Sequence, residues 1–214
     1  DNLPLDEAAL IEPLAVAYHA VERSEAKAGD VALIGGAGPI GLLTAAVAKA
    51  QGLTTIMSEL SKKRIETAQE TGVADHVANP KEVDVVEEVL KITDGKGADV
   101  GFEATSVDVV LNTILSAVKK AGVIVNVSIW GHKPEANLAD LVTKEQDLRG
   151  TIGYYNSHEP CIELASSGKV DLKPFITHKI ALDELVETGF DTLINHNDTA
   201  VKILVSPTGK GLDN

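Results

Sequence analysis

Residues 31 to 41 read Val-Ala-Leu-Ile-Gly-Gly-Ala-Gly-Pro-Ile-Gly, an apolar run that opens into a glycine turn. Gly36, Gly38 and Gly41 have the G-x-G-x-x-G spacing of a strand-to-helix turn that cradles a pyrophosphate. Gly36 would make the tight turn, Gly38 would let backbone approach a phosphate, and Gly41 would let the following helix pack closely on the strand. Pro39 and Ile40 complete the cofactor-facing turn, where free amides and the positive end of the helix dipole hold an anion without any lysine.

The surroundings support this reading. Residues 31 to 34 are strand-like, and Ile40 to Ala50 continue as Leu, Ala and Val at helical spacing up to Gly52. A second strand then ends at Glu59, the distance along the chain at which a ribose-binding carboxylate is needed. Such a carboxylate accepts from both adenosine ribose hydroxyls and repels the extra phosphate of NADP, so NAD is the expected cofactor. The competing reading is a glycine turn in an ordinary α/β domain, with Glu59 merely solvated.

At 214 residues and 44% hydrophobic, the chain can bury one substantial core. Its net charge of -13, with no cluster of lysine and arginine, argues against nucleic acid or an anionic membrane as partner. The single cysteine, Cys161, excludes an intrachain disulfide framework and a Cys-rich structural zinc site within this chain; a reducing cytoplasm fits. Residues 31 to 48 carry no charge, but Gly35, Gly36, Gly38, Pro39 and Gly41 break the run, so it reads as strand, turn and packed helix, not a membrane span. Asp1, Asp6 and Glu7 stand where a signal peptide has basic residues, and no methionine opens the chain, so a fragment or truncated start is expected.

Strand and helix signals alternate along the rest. Strands are expected near 31–35, 54–59, 76–79, 98–104, 122–130 and 149–154. Helices are expected over 61–71, 83–93, 107–120 and 138–144, several closed by Gly72, Gly95 or Gly122. Six strands with crossover helices make an α/β fold, a Rossmann-type doubly wound parallel sheet. Its ligand crevice lies outside the carboxyl ends of the strands, where the order reverses. Ala104 and Thr105 after the fourth strand, and Val127 and Ile129 after the fifth, are therefore candidate cofactor contacts. The hydroxyls of Thr105 and Ser106 are equally suited to capping the next helix, and the two roles are compatible. The expected division is a linking helical segment over 1–26, a nucleotide-binding domain over 27–155, and helices with a final strand over 156–214.

The residues together resemble the zinc-dependent medium-chain alcohol and polyol dehydrogenases, butanediol and sorbitol dehydrogenases above all. The resemblance is carried by Glu12-Pro-Leu-Ala-Val-Ala-Tyr-His-Ala20, Gly35-Gly-Ala-Gly-Pro-Ile-Gly41, Glu59-Leu-Ser-Lys-Lys-Arg64, Phe102-Glu-Ala-Thr-Ser106, Leu148-Arg-Gly-Thr-Ile152 and Val201-Lys-Ile-Leu-Val205. Lys173-Pro-Phe-Ile-Thr-His-Lys-Ile-Ala-Leu182 points toward the butanediol branch. The resemblance implies a two-domain enzyme in which a zinc-bound alcohol gives a hydride to NAD. This chain matches the later part, and the terminal segments would pack on an amino-terminal GroES-like catalytic domain carrying the principal zinc ligands. It also implies a homodimer paired across the edge strand near Gly150 to Tyr154.

Three further residues enter through the resemblance. Glu12 matches a glutamate that can join the catalytic zinc shell as a labile ligand; before Pro13 it would also favour the positive end of a helix. Arg64 matches a basic residue near the adenine ribose, and a solvated helix face is the other reading. Lys202 matches a position that relatives turn toward the pyrophosphate, where an exposed strand lysine is the plain alternative. The six histidines show no metal-ligand spacing, so no stable zinc is expected in the isolated chain.

Two other functions compete with a dehydrogenase portion. One is a zinc-independent quinone-type reductase using NADPH, against which Glu59 speaks. The other is a non-catalytic NAD(H)-binding module. An exposed apolar patch on the terminal segments would favour a partner domain over that module.

Overall fold

The structure, a computed structural model, describes residues 3–211. Residues 1–2 and 212–214 of the two expected terminal segments lie outside the described residues. After a short α1 (Leu5–Ala8), α2 (Ile11–Ser24) leads into β1 (Val31–Gly35), α3 (Pro39–Ala50), β2 (Thr54–Ser58), α4 (Lys62–Glu70) and β3 (His76–Ala78). The second half runs α5 (Val85–Ile92), β4 (Ala98–Glu103), α6 (Asp108–Ala117), β5 (Val118–Asn126), α7 (Leu138–Thr143) and β6 (Asp147–Gly150). All six strands are parallel, in the order β3-β2-β1-β4-β5-β6, so the sheet reverses direction of growth between β1 and β4.

The layers follow from the pattern of apolar residues. Helix α3 is buried from Gly41 to Val47 and on to Ala48 because it is covered twice, by the sheet on one side and by α2 on the other. The face of α2 that meets it carries Leu14, Ala17 and Val21, spaced at helical intervals and all essentially inaccessible. Small residues on both helices, Ala17 on α2 and Ala45 and Ala48 on α3, are buried in the core the two helices share, which suits close packing. The segment expected as a linker thus contributes its apolar face to the same core as β1 and β4.

The expected strands and helices are present, with informative shifts at three ends. The helix expected to 120 stops at Ala117, and β5 starts at once with Val118. Lys144 Nζ and Gln146 Nε2 donate to carbonyls of Leu115 and Val118, closing the helix end from almost thirty residues away, a cap no local pattern announces. The fifth strand ends at Asn126 rather than 130 because the amides of Val127 and Ser128 both turn back to the carbonyl of Glu103. The sixth is displaced to Asp147–Gly150, paired in register with Val123 to Asn126.

Beyond the sheet, α8 (His158–Ser166) packs on α2, and β7 (Ile176–Ala181) pairs with β8 (Lys202–Ser206) in a separate two-stranded parallel sheet. A 3-10 turn, a π-helical turn and α9 (Asp191–Asn195) connect these two strands. Helix α8 falls in the stretch where helices were expected after 156, but β7 was not expected, since it shows no clean alternation over its short span.

Helix α8 buries Cys161 completely. Burial pushes its thiol up to about 12, which at pH 8 leaves about one molecule in ten thousand as reactive thiolate. The folded chain is therefore expected to give no fast reaction with a disulfide reagent at pH 8, and one equivalent in guanidinium. One rapid equivalent under native conditions would mean that α8 does not pack as described.

Candidate functional site

Three glycines shape the turn after β1 in three different ways. Gly36 has φ +94°, a left-handed conformation, and its amide donates to the carbonyl of Ser58 at 2.8 Å, tying the turn to the end of β2. A Cβ there would also meet Thr105 Cγ2 at 2.5 Å. At Gly41 a Cβ would lie 2.0 Å from the carbonyl oxygen of Gly36, so the start of α3 rests directly on the turn. Gly38 is extended, with nothing within 4 Å of where its Cβ would be. No side chain caps α3, and Pro39 brings no N–H, so the amides that open the helix face outward from this bare turn.

Glu59 stands at the end of β2 with its carboxylate turned onto the same turn. One oxygen accepts from the amide of Ala37 at 2.8 Å; the other accepts from Leu60 and Ser61 at 2.8 and 2.9 Å. The carboxylate is thus held at the turn by backbone amides. Gly36, Gly38, Pro39, Glu59, Arg64 and Thr105 line one groove of about 540 Å³, together with Ala104 and part of α6. Arg64 is on the groove wall, and its guanidinium donates to the carbonyl and the side-chain oxygen of Asn197 at 3.1 and 3.0 Å.

Across Ala104 a second hollow of about 370 Å³ continues the cleft, lined by Val16, Ile40, Ala104, Val127, Ser128, Ile129 and the stretch Thr151 to Gly153. The hydroxyl of Thr151 is buried in this wall without a hydrogen-bond partner among the described residues. An orphaned polar atom in an apolar hollow is costly unless something polar meets it. A larger hollow of about 730 Å³ lies between α1 and β8 around the Asp6–Lys179 ion pair, away from the Gly36–Gly41 turn. In that pair the Lys179 ammonium holds the Asp6 carboxyl below the usual carboxylate range.

The expected site residues divide accordingly. The glycine turn, Glu59, Arg64, Ala104 and Thr105 meet in the first groove, and Ile40, Val127 and Ile129 in the second. Gly41 supports the turn from below. Lys202 lines neither hollow: it opens β8, where its carbonyl accepts from Thr177. Glu12 is exposed in the first turn of α2, one turn before Val16 of the second hollow and on the same helix face. Among the described residues, no three His, Cys, Asp or Glu side chains gather as a metal site.

One residue of this region was not singled out from the sequence. Glu103, last in β4, is fully buried, and its carboxylate accepts from Thr105 and Ser106 and from the Ser128 hydroxyl. An acid directly after the apolar run Val100-Gly-Phe102, followed by Thr and Ser, was the available signal, because a buried carboxylate must find donors nearby.

Residues 39–167 match the zinc-binding dehydrogenase family. The chain is 58% identical to (R,R)-butanediol dehydrogenase of Neisseria gonorrhoeae, over 97% of this chain and 58% of that protein. It superimposes on the crystal structure of 2R,3R-butanediol dehydrogenase from Bacillus subtilis with a TM-score of 0.91 at 41% identity, covering 97% of this chain and 59% of that one. A structure described as a zinc-binding dehydrogenase from Sinorhizobium meliloti, bound to NADP, matches with a TM-score of 0.81 at 29% identity, over 96% of this chain and 61% of that one. The chain spans about three fifths of the length of these relatives. On this evidence the chain belongs to the zinc-binding dehydrogenase family.

Proposed function

We propose that the chain is the NAD-binding portion of an oxidoreductase that oxidises a secondary alcohol or diol of the 2,3-butanediol or polyol class to a ketone. The observation that carries this reading is the Glu59 carboxylate bonded to the amide of Ala37, which sets a fixed negative charge beside the bare glycine turn. A dinucleotide fits the cleft on two counts. Gly38 leaves open the space a pyrophosphate needs, and the unpartnered Thr151 hydroxyl suits a polar head such as the nicotinamide amide.

In that complex Glu59 binds the adenosine ribose, the α3 amides bind the pyrophosphate, and Arg64 flanks the adenine end. Ala104, Val127 and Ile129 exclude water around the nicotinamide end and hold it face-on. The cofactor supplies the hydride acceptor when bound. Lys202 would reach the pyrophosphate only from a segment outside the groove.

Glu12 is one exposed carboxylate, too little to hold zinc, so the described residues support no zinc-dependent step by themselves. Its place one turn from Val16 suits a role beside the reacting carbon in the intact enzyme, with the other ligands on an amino-terminal GroES-like domain. Leu182, Val186, Phe190, Leu193 and Ile194 lie exposed between β7 and β8, an apolar surface that suits the docking of such a domain and disfavours a self-sufficient module. The expected boundaries near 26 and 155 belong to the same proposal.

The β6 edge, with Leu148, Ile152 and Tyr155 exposed beside it, suits pairing with a second copy as a homodimer. A cytoplasmic location suits the single buried thiol. Among the described residues, no helix is long and apolar enough to cross a membrane.

Calorimetric titration with NADH and NADPH tests the reading. NADH is expected to bind at least tenfold more tightly, because a 2′-phosphate would face the held carboxylate of Glu59. Tighter NADPH would favour the quinone-type reductase, and binding of neither would end the cofactor assignment.

A further inference from the structure

The loops after β4 and β5 are tied to one another across the crevice in both directions. From the β5 side, the Ser128 hydroxyl donates to one oxygen of the Glu103 carboxylate. From the β4 side, the Ser106 hydroxyl donates to the carbonyl of Ile129 at 3.0 Å. The other Glu103 oxygen gathers the Thr105 amide at 2.7 Å, the Thr105 hydroxyl at 2.5 Å and the Ser106 amide at 3.1 Å. The main chain repeats the pattern, since the carbonyl of Glu103 accepts from the amides of Val127 and Ser128.

This arrangement is more than a buried acid finding partners. Ser106 is held at φ +59°, a conformation unusual for a residue with a side chain, and the bonds to Glu103 and Ile129 are what hold it there. Every residue the brace fixes is on or beside the cleft wall. Thr105 lines the first groove and touches the space a Gly36 Cβ would take, while Val127, Ser128 and Ile129 line the second. At the adenosine end, Glu59 and Arg64 make no hydrogen bond to it among the described residues.

We infer that Glu103, with Ser106 and Ser128, is a positioning device that sets the two loops as one rigid wall for the nicotinamide end of the cofactor. The inference rests on the dinucleotide reading above. A wall already ordered before binding adds affinity by sparing the ligand the cost of ordering it. Its loss must therefore weaken ligands that reach the nicotinamide end and spare those that stop short.

The test compares NADH with ADP-ribose, which shares the adenosine and pyrophosphate but lacks the nicotinamide. Calorimetry would be run on the full chain, on Ser106→Ala/Ser128→Ala, which cuts both hydroxyl ties, and on Glu103→Gln, which keeps the volume of the buried side chain. Thermal unfolding would verify that each variant is folded. The double variant is expected to bind NADH about tenfold more weakly and ADP-ribose within twofold of the unaltered chain; bound NADH should also lose part of its fluorescence enhancement. Glu103→Gln is expected to show the same split, and if it does not fold the double variant decides alone. Equal losses for both ligands, or no loss for either, would overturn the brace while leaving the cofactor reading intact. Failure of the unaltered chain to bind either ligand would overturn both.

Discussion

Replacing Gly38 by valine is expected to weaken NADH binding by at least 100-fold while the chain stays folded. The structure separates these two outcomes at this residue. Gly38 is extended, a conformation valine adopts freely, and among the described residues nothing beyond its own chain neighbours lies within 4 Å of its Cβ position. The open space is the side from which a pyrophosphate would approach the α3 amides, so a branched side chain would push the phosphates away from their donors. Displacements of about 1 Å in such sites cost on the order of a hundredfold. The structural cost is small, because glycine at a helix start is exchanged for a poorer cap worth about 1 kcal/mol. For a chain of this size that lowers Tm by about 2–4 °C. Calorimetry with NADH and a thermal melt on the same sample check both halves. A valine variant that binds NADH normally would remove the glycine turn from the site.

How much of this site the sequence disclosed depends on whether a residue acts through its neighbours or across the fold. The glycine turn was legible because its roles are local: a positive φ at Gly36 and close packing at Gly41 depend on residues within one turn of chain. Glu59 was legible by its distance from that turn, which the β1-α3-β2 unit holds nearly constant. The strand order followed from the alternation of periods, since crossover connections leave few arrangements open.

What escaped was set by contacts between distant segments. Arg64 was expected near the adenine ribose or on a solvated helix face, and its bonds to Asn197, in the segment before β8, could not be read from either. The early end of α6 depends on Lys144 and Gln146, and the early end of β5 on the carbonyl of Glu103. The second sheet joins Ile176–Ala181 to Lys202–Ser206 across an irregular connection whose apolar residues stay exposed, so neither strand announces its partner. Nor does any local pattern mark α2 as part of the main core: its apolar stripe is plain, but which surface would take that stripe was not.

Gly41→Ala is expected to produce the opposite balance, a large loss of stability that brings down binding with it. One methyl group suffices, because at this point it would lie 2.0 Å from the carbonyl oxygen of Gly36, and roughly 1 Å of movement is needed to relieve the overlap. No flexible side chain can give way. The oxygen is backbone, in a turn fixed by the bond from the Gly36 amide to Ser58, and α3 is held between the sheet and α2. Overpacking in such cores costs about 1–3 kcal/mol, and a clash with backbone belongs at the upper end. At about 2–4 °C per kcal/mol, Tm should fall by roughly 6–12 °C. If α3 instead slides away from β1 to make room, its amides leave their places, and NADH affinity falls in the fraction that remains folded. A melt and a titration on Gly41→Ala and Gly38→Val side by side therefore distinguish the two roles: one variant loses stability first, the other loses chiefly the ligand. An alanine at position 41 with an unchanged Tm would show that helix and turn are not packed as closely as the structure has them.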